Sequence, residues 1–453
     1  MESVTRLILP DVSEALRSDP SSVVEMTEEL HSADLADLAA KLEPDLALRL
    51  LLALPVEQSS RLIEALERDK RVELFAQLCN QDLATAVSIA EGMAPDERAD
   101  LFGELAEEMR AALLGRMEHA ESRDVRQLLA HPEGTAGALM TTNFVALPAD
   151  ITVAHAIENV RKSAEEMETI YDAYAVDPHG TLLGTVSLRQ LVLAPADKTI
   201  ADVMEPNVIA VDVEADQEEV ARVIAKYDFL ALPVIDRSRR IVGIVTVDDV
   251  VDVLEEEATE DVQRLGAVEP LEHAYFQTGF WEFVRKRSSW LVVLFLGELA
   301  TGSAMHHYTA TFEQFASLVW FVPLIISSGG NAGSQSASIM IRALAVGEVR
   351  PRDFARVIGR ELGIGLALGI TLSVFGMGRV FLWEATRTMA MAWTISLSIV
   401  TVVVLGAVFG AGFPLLLRRV GVDPAVSSTP FVASFVDVLG LMVYFEIARV
   451  LLF

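Results

Sequence analysis

From about residue 12 to 130 apolar residues recur three and four positions apart, as in Leu35, Leu38, Ala39 and Leu42, which is the spacing of one helix face. Prolines punctuate the pattern in Glu43-Pro44-Asp45, Leu54-Pro55-Val56-Glu57 and Ala94-Pro95-Asp96-Glu97. Proline fits the first helical turn, where its missing N–H costs nothing. The last two motifs are 40 residues apart and each precedes an amphipathic stretch, at 60–66 and 99–105. The pattern predicts stacked helix pairs resembling short solenoid repeats, an all-α helical-repeat domain over 1–130.

Past His131-Pro132-Glu133-Gly134 the period changes to short β-branched runs between helical stretches. Strands are expected at 145–148, 173–176 and 183–187, with a helix over 153–164 and a turn at Asp177-Pro178-His179-Gly180. The plan repeats as strands at 208–211, 231–235 and 241–246, with a helix over 218–227 and a turn near Ser238. This internal β–α–β–β–α duplication, over 131–261, resembles tandem CBS regulatory repeats, an α/β domain. That superfamily's Gly-h-h-Ser/Thr-x-x-Asp signature, with h apolar, is intact as Gly243-Ile244-Val245-Thr246 and Asp249. The resemblance implies adenosine-nucleotide binding at Thr246 and Asp249, which makes ATP a candidate ligand. The first repeat reads Gly184-Thr185-Val186-Ser187 with Gln190 where the ribose-binding Asp belongs, so ATP is expected to bind weakly there.

Apolar stretches at 289–309, 316–345, 357–383, 389–417 and 425–451 follow. Each can cross a hydrocarbon core of about 30 Å, which takes roughly 20 helical residues. Inside the second lies Pro323-Leu-Ile-Ile-Ser-Ser-Gly-Gly-Asn-Ala-Gly-Ser-Gln-Ser336. Around the start of the fifth come Asp423-Pro-Ala-Val-Ser-Ser-Thr-Pro430, Ser434-Phe-Val-Asp437 and Gly440. Bilayer interiors penalise unsatisfied polar groups, so amides, glycines and a carboxylate at that depth indicate a cavity or an ion path. Buried Asn331 and Asp437 point to conduction rather than to a mere anchor. Arg285, Lys286 and Arg287 precede the first span; Arg342, Arg350, Arg352, Arg356 and Arg360 separate the second from the third; Arg418 and Arg419 separate the fourth from the fifth. Cytoplasmic loops favour Lys and Arg, so the N-terminus is expected in the cytosol and the C-terminus outside the cytoplasmic membrane. The absence of an apparent signal peptide agrees. Glu298, Glu361, Arg379 and Glu446 are expected to be interface anchors.

Charge separates the two halves. Residues 1–270 hold 23 Lys and Arg against 54 Asp and Glu, while 271–453 hold 13 against 11. Such acidity excludes nucleic acid as a partner and crowds like charges that divalent cations would relieve. Asp96 and Asp100 are four apart, Asp249 and Asp252 three apart, and Glu257, Glu260 and Asp261 cluster on the next turns. The lone cysteine, Cys79, excludes an intrachain disulfide. No nucleophile with a partner base, phosphate loop or Cys/His metal cluster supports an enzyme.

These motifs, in this order over nearly all 453 residues, resemble the MgtE-type magnesium channel or transporter family. The resemblance implies a homodimer in the lipid bilayer in which Asp437 of each subunit holds a hydrated Mg2+, assisted by the Ala433 carbonyl and Asn331. It further implies cytosolic Mg2+ sites among Asp96, Asp100, Asp216, Glu218, Asp228, Asp249, Asp252, Glu257, Glu260 and Asp261. Mg2+ bridging there would close the pore through a connecting helix at 262–287, ahead of the five-span pore domain at 288–453. Bridging coordination, rather than neutralisation alone, is expected to hold the domains, because amides do not reproduce directional metal bonds. Two alternatives stand beside this reading. One is a membrane-anchored CBS-type ion or nucleotide sensor that signals to a partner without conducting. The other is a transporter that also passes Mn2+, Co2+ or Ni2+.

Overall fold

A computed structural model describes residues 2–164, 167–271, 273, 275–309, 316–424 and 428–452. The chain divides into two compact units, Met1–Glu255 and Glu256–Phe453.

The first unit begins with the helical array. Pro44 and Pro95 are the first residues of their helices, and Pro55 stands just before Val56–Glu64 (α1). Arg68–Gln81 (α2), Pro95–Glu104 (α3) and His119–Leu128 (α4) follow. Leucines of successive helices, among them Leu38, Leu50, Leu62, Leu78, Leu101 and Leu113, form one core. Hydroxyls stitch neighbouring helices across it: Ser59 Oγ donates to the Leu51 carbonyl at 3.0 Å and Ser60 Oγ to the Ile89 carbonyl at 2.7 Å.

Two small sheets complete this unit. Ala146–Pro148 (β1), Asp172–Val176 (β2) and Leu182–Ser187 (β3) pair in that order, β1 parallel and β3 antiparallel to β2, with helix Val153–Ser163 (α5) in the crossover. Val211–Asp212 (β4), Ala231–Ile235 (β5) and Ile241–Thr246 (β6) repeat the plan around Gln217–Tyr227 (α6). Each repeat lends a bridge to the other's sheet, Thr141 to Ile244 and Glu205 to Thr185. The strand expected at 208–211 is displaced: only Val211 and Asp212 join the ladder, because Val208 and Ala210 instead pack with Tyr174 and Ile244 where the repeats meet.

The helical array is seated on the second repeat. Ala99 of α3 and Leu128 of α4 share one apolar cluster with Val220, Leu232, Val250 and Val253. Val250 and Val253 belong to Val247–Leu265 (α7).

In the second unit, α7 ends at Leu265 and the next long helix is Phe280–His307 (α8). The helix expected over 262–287 is therefore not one helix. Gly266 and Pro270 interrupt it, and Lys286 near the start of α8 donates from Nζ to the Pro270 carbonyl at 2.6 Å. Val322–Ala345 (α9), Phe354–Leu382 (α10), Met389–Arg419 (α11) and Thr429–Leu452 (α12) follow. Among the described residues, five helices of this unit are long and apolar enough to cross a membrane. Glycines bring α9 and α11 into backbone contact: a Cβ on Gly406 or Gly410 would overlap the carbonyl oxygen of Gly329 or Gly333.

Candidate cation sites in the membrane and cytosolic units

The polar motif of α9 faces α12 at one level. A Cβ on Gly330 would stand 3.2 Å from Asp437 Oδ1 and 3.6 Å from the Ala433 Cβ, so a side chain there would press on the carboxylate. Ala433 and Asp437 are one turn apart on α12, and Asn331 adjoins Gly330. The structure thus brings Asp437, Ala433 and the backbone next to Asn331 together. Asn331 itself is not buried as expected. Its side chain is exposed on the single chain and donates from Nδ2 to Ser327 Oγ at 3.3 Å. Apolar periodicity does not distinguish a helix face covered within the chain from one left open.

Among the described residues Asp437 makes no ion pair, and Arg449 pairs instead with Glu446 at 2.6 Å. Of the expected interface anchors, Arg379 lies over the Trp383 ring and Glu446 accepts from the Tyr308 hydroxyl at 2.8 Å. Two others are set against neighbouring helices, although Glu298 stays exposed. Glu361 accepts from Ser336 Oγ at 2.8 Å, and Glu298 of α8 is close enough to repel Asp437.

The cytosolic carboxylates fall into separate groups. At the seat of the helical array, Asp96 is 7 % exposed and its buried Oδ1 has no hydrogen-bond partner. Burial, then the charges of Asp249, Glu168 and Glu97, holds its carboxyl well above the usual range. Asp249 accepts from Thr246 Oγ1 at 2.5 Å; burial still pushes it up to about 7, against the lowering of that bond. Asp252 is raised by partial burial and by Glu255 and Asp248. Glu97 is paired with Arg71 of α2, yet burial and the charges of Asp252 and Asp248 raise it too. Asp100, one turn along α3, is exposed and lies near Glu97 and Glu104 rather than α7. Glu97, Glu168 and Asp248 were not singled out from the sequence; Glu97 and Asp248 show only as acidity in the first turns of α3 and α7, and Glu168 lies in the connection before β2.

Asp216, Glu218 and Asp228 do not meet these groups. Asp216 caps the start of α6, accepting from the Glu218 N–H at 2.9 Å, and Glu218 pairs with Arg222 at 3.4 Å. Asp228 closes the other end in left-handed backbone at φ 53°. An 11-residue helix is about 16 Å long, so within one chain Asp216 and Asp228 do not share an ion. Glu257, Glu260 and Asp261 form the third group on α7, where burial first and Asp423 second raise Asp261, and Arg264 pairs with Glu260. Among the described residues no three His, Cys, Asp or Glu side chains converge closely enough to hold a metal by themselves.

In the first repeat Gln190 Oε1 accepts from the Ser187 N–H at 2.7 Å and from its hydroxyl at 3.0 Å. It fills the capping position that Asp249 fills beside Thr246, without the charge.

Comparison with known proteins matches each part of the chain. The model of the MgtE divalent cation transporter family matches residues 322–447, that of the MgtE intracellular N domain 30–134, and that of the CBS domain 136–197 and 200–256. The magnesium transporter MgtE of Thermus thermophilus is 38% identical over 445 residues, 97% of this chain and 98% of that one. The magnesium transporter MgtE of Bacillus subtilis is 31% identical over 421 residues, 93% and 92% of the two chains. A crystal structure of the cytosolic domain of the Mg2+ channel MgtE in complex with ATP matches with a TM-score of 0.51 at 34% identity, covering 54% of this chain and 99% of that one.

Proposed function

Because this chain belongs to the MgtE family of divalent cation transporters, we propose that it carries Mg2+ into the cell as a homodimer and is closed by Mg2+ on its cytosolic carboxylates. The observation that carries the transport reading is the Asp437 carboxylate of α12, set against Gly330 of α9 with no ion pair among the described residues. A carboxylate at that depth needs a counter-charge. A mobile hydrated cation supplies it, and Asn331 on the open face of α9 is placed to serve a second copy's ion path. Mg2+ keeps its water and favours oxygen ligands, which suits a carboxylate, an amide and a backbone carbonyl. The arginines at the ends of α9 and α11 support an orientation with the N-terminus in the cytosol and the C-terminus outside. Flux into proteoliposomes loaded with a Mg2+ indicator tests the transport reading; no uptake above empty vesicles would end it.

Regulation rests on the carboxylates of α3 and α7. Fully burying Leu128, Val250 and Val253 contributes about 1.5–3 kcal/mol each, while an unpaired buried carboxylate costs several kcal/mol. The two effects are comparable, so the seating of α3 on α7 is poised. A divalent cation tips it toward the closed arrangement.

Protons should do the same. Asp249 titrates near 7 in the seated state, above its ordinary value, so its contribution favours seating at low pH and is lost as pH rises through about 7. In chelator, nitroxides on exposed Glu107 and Val251 of the full chain should therefore hold a shorter, narrower separation at pH 6 than at pH 8, and millimolar Mg2+ should remove the difference. A separation that broadens on acidification would refute the assignment.

A second reading, ATP binding to the paired repeats, is favoured by the ATP complex of the relative's cytosolic domain. Gln190 lacks the charge for the ribose, and Asp249 is engaged by Thr246 and turned toward α3. Calorimetry on the full chain should give only millimolar affinity for Mg·ATP. Micromolar binding lost in Gln190→Ala but indifferent to Asp249→Ala would show that the first repeat is a competent site.

A further inference from the structure

The end of α7 is tied to the start of α12. Arg264 Nη1 donates to Asp423 Oδ2 at 2.6 Å while the same guanidinium pairs with Glu260. Thr429, the first residue of α12, donates from Oγ1 to the carbonyl of Leu265, the last residue of α7, at 3.1 Å. That carbonyl is one of the acceptors a helix end leaves unpaired. Just beyond, the Leu271 N–H donates to Gln263 Oε1 at 2.7 Å and the Val268 N–H to the Gln263 carbonyl at 3.0 Å, so the chain folds back on α7.

We propose that Arg264 is a positioning residue that couples the cytosolic carboxylates to the pore by fastening α7 to the helix that carries Asp437. The proposal rests on the reading that cytosolic Mg2+ closes the pathway. α7 carries Asp249 and Asp252 near one end and Arg264 at the other, in one unbroken 19-residue helix. Asp437 lies eight residues beyond Thr429, about 12 Å along α12. A shift of α7 delivered through Asp423 and Thr429 therefore reaches the pore carboxylate within about two turns. Arginine suits the task because its planar fork engages two carboxylates at once, which a lysine ammonium does less well. The pair is partly exposed, so it adds little to folding and its loss should appear in coupling.

The test is Mg2+ current through the full-length protein in inside-out patches, with cytosolic Mg2+ varied. Arg264→Gln should raise the half-inhibiting Mg2+ concentration about fivefold, the ceiling set by such an ion pair, and leave maximal current within about twofold. Arg264→Lys should fall between. Adding Asp423→Asn to Arg264→Gln should shift the threshold no further, and the exchange Arg264→Asp with Asp423→Arg should restore it. An unchanged threshold in Arg264→Gln, or a full further shift on adding Asp423→Asn, overturns the coupling role. So does a shifted single variant that the exchange does not rescue, since Arg264 would then act through Glu260 alone. Indifference of the unmutated protein to cytosolic Mg2+ would instead overturn the regulatory reading itself.

Discussion

Asp437→Asn should abolish Mg2+ flux, by about two orders of magnitude or more, while the protein inserts and stays folded. The scale is that of removing one electrostatic stabiliser from a water-poor site. The amide fits the space beside Gly330, since it matches the carboxylate in size. Taking a charge out of the apolar span, and out of repulsion from Glu298, should raise the melting temperature in detergent rather than lower it. Lost flux together with unchanged or greater stability separates a conducting carboxylate from a structural one. Normal flux from correctly inserted Asp437→Asn protein would sink the pore assignment.

The triple variant Asp96→Asn, Asp249→Asn, Asp252→Asn should be closed without Mg2+ and indifferent to it. Its flux at low cytosolic Mg2+ should fall about tenfold, the size expected when an equilibrium moves by more than 1 kcal/mol. The chemistry of Mg2+ coordination favoured bridging bonds that an amide does not reproduce. The structure alters that expectation, because Ala99, Leu128, Val250 and Val253 already supply an apolar seat and the carboxylates are what oppose it. Flux that stayed high and ignored Mg2+ would return the weight to coordination. A Mg2+ response matching the unmutated protein would remove these residues from regulation altogether.

The elements of this chain were more legible than their faces. Proline at helix starts and the period-two runs located Pro95–Glu104 and Ile241–Thr246 to within a few residues, because local propensity and tertiary packing agree there. They disagree at 208–210, where β-compatible side chains fill the contact between repeats instead of a ladder. The break after Leu265 was written in Gly266 and Pro270 but is hidden by the helical periodicity on either side. Spacing correctly put Asp249 and Asp252 on one helix. It does not show that Asp96 rather than Asp100 turns toward Asp249, or that Asp216 and Asp228 are spent as caps at opposite ends of α6. Periodicity says which residues share a side and is silent on what that side meets. For the same reason Asn331 was expected inside and lies on an open face.

The glycine contacts between α9 and α11 carry a mechanical consequence. With Gly406 and Gly410 pressed on the carbonyls of Gly329 and Gly333, the two helices touch through their backbones at these two levels, where no change of rotamer can open a gap, and the branched Val402 side chain packs on Gly329 beside them. Lipid gives such a pair no hydrophobic reason to stay together, so close dispersion contact must hold it, and that contact fades steeply with any gap. On the transport reading proposed above, α9, which bears Asn331, is therefore the stiff rail of the pathway, and opening and closing fall to α12, rolling against that rail.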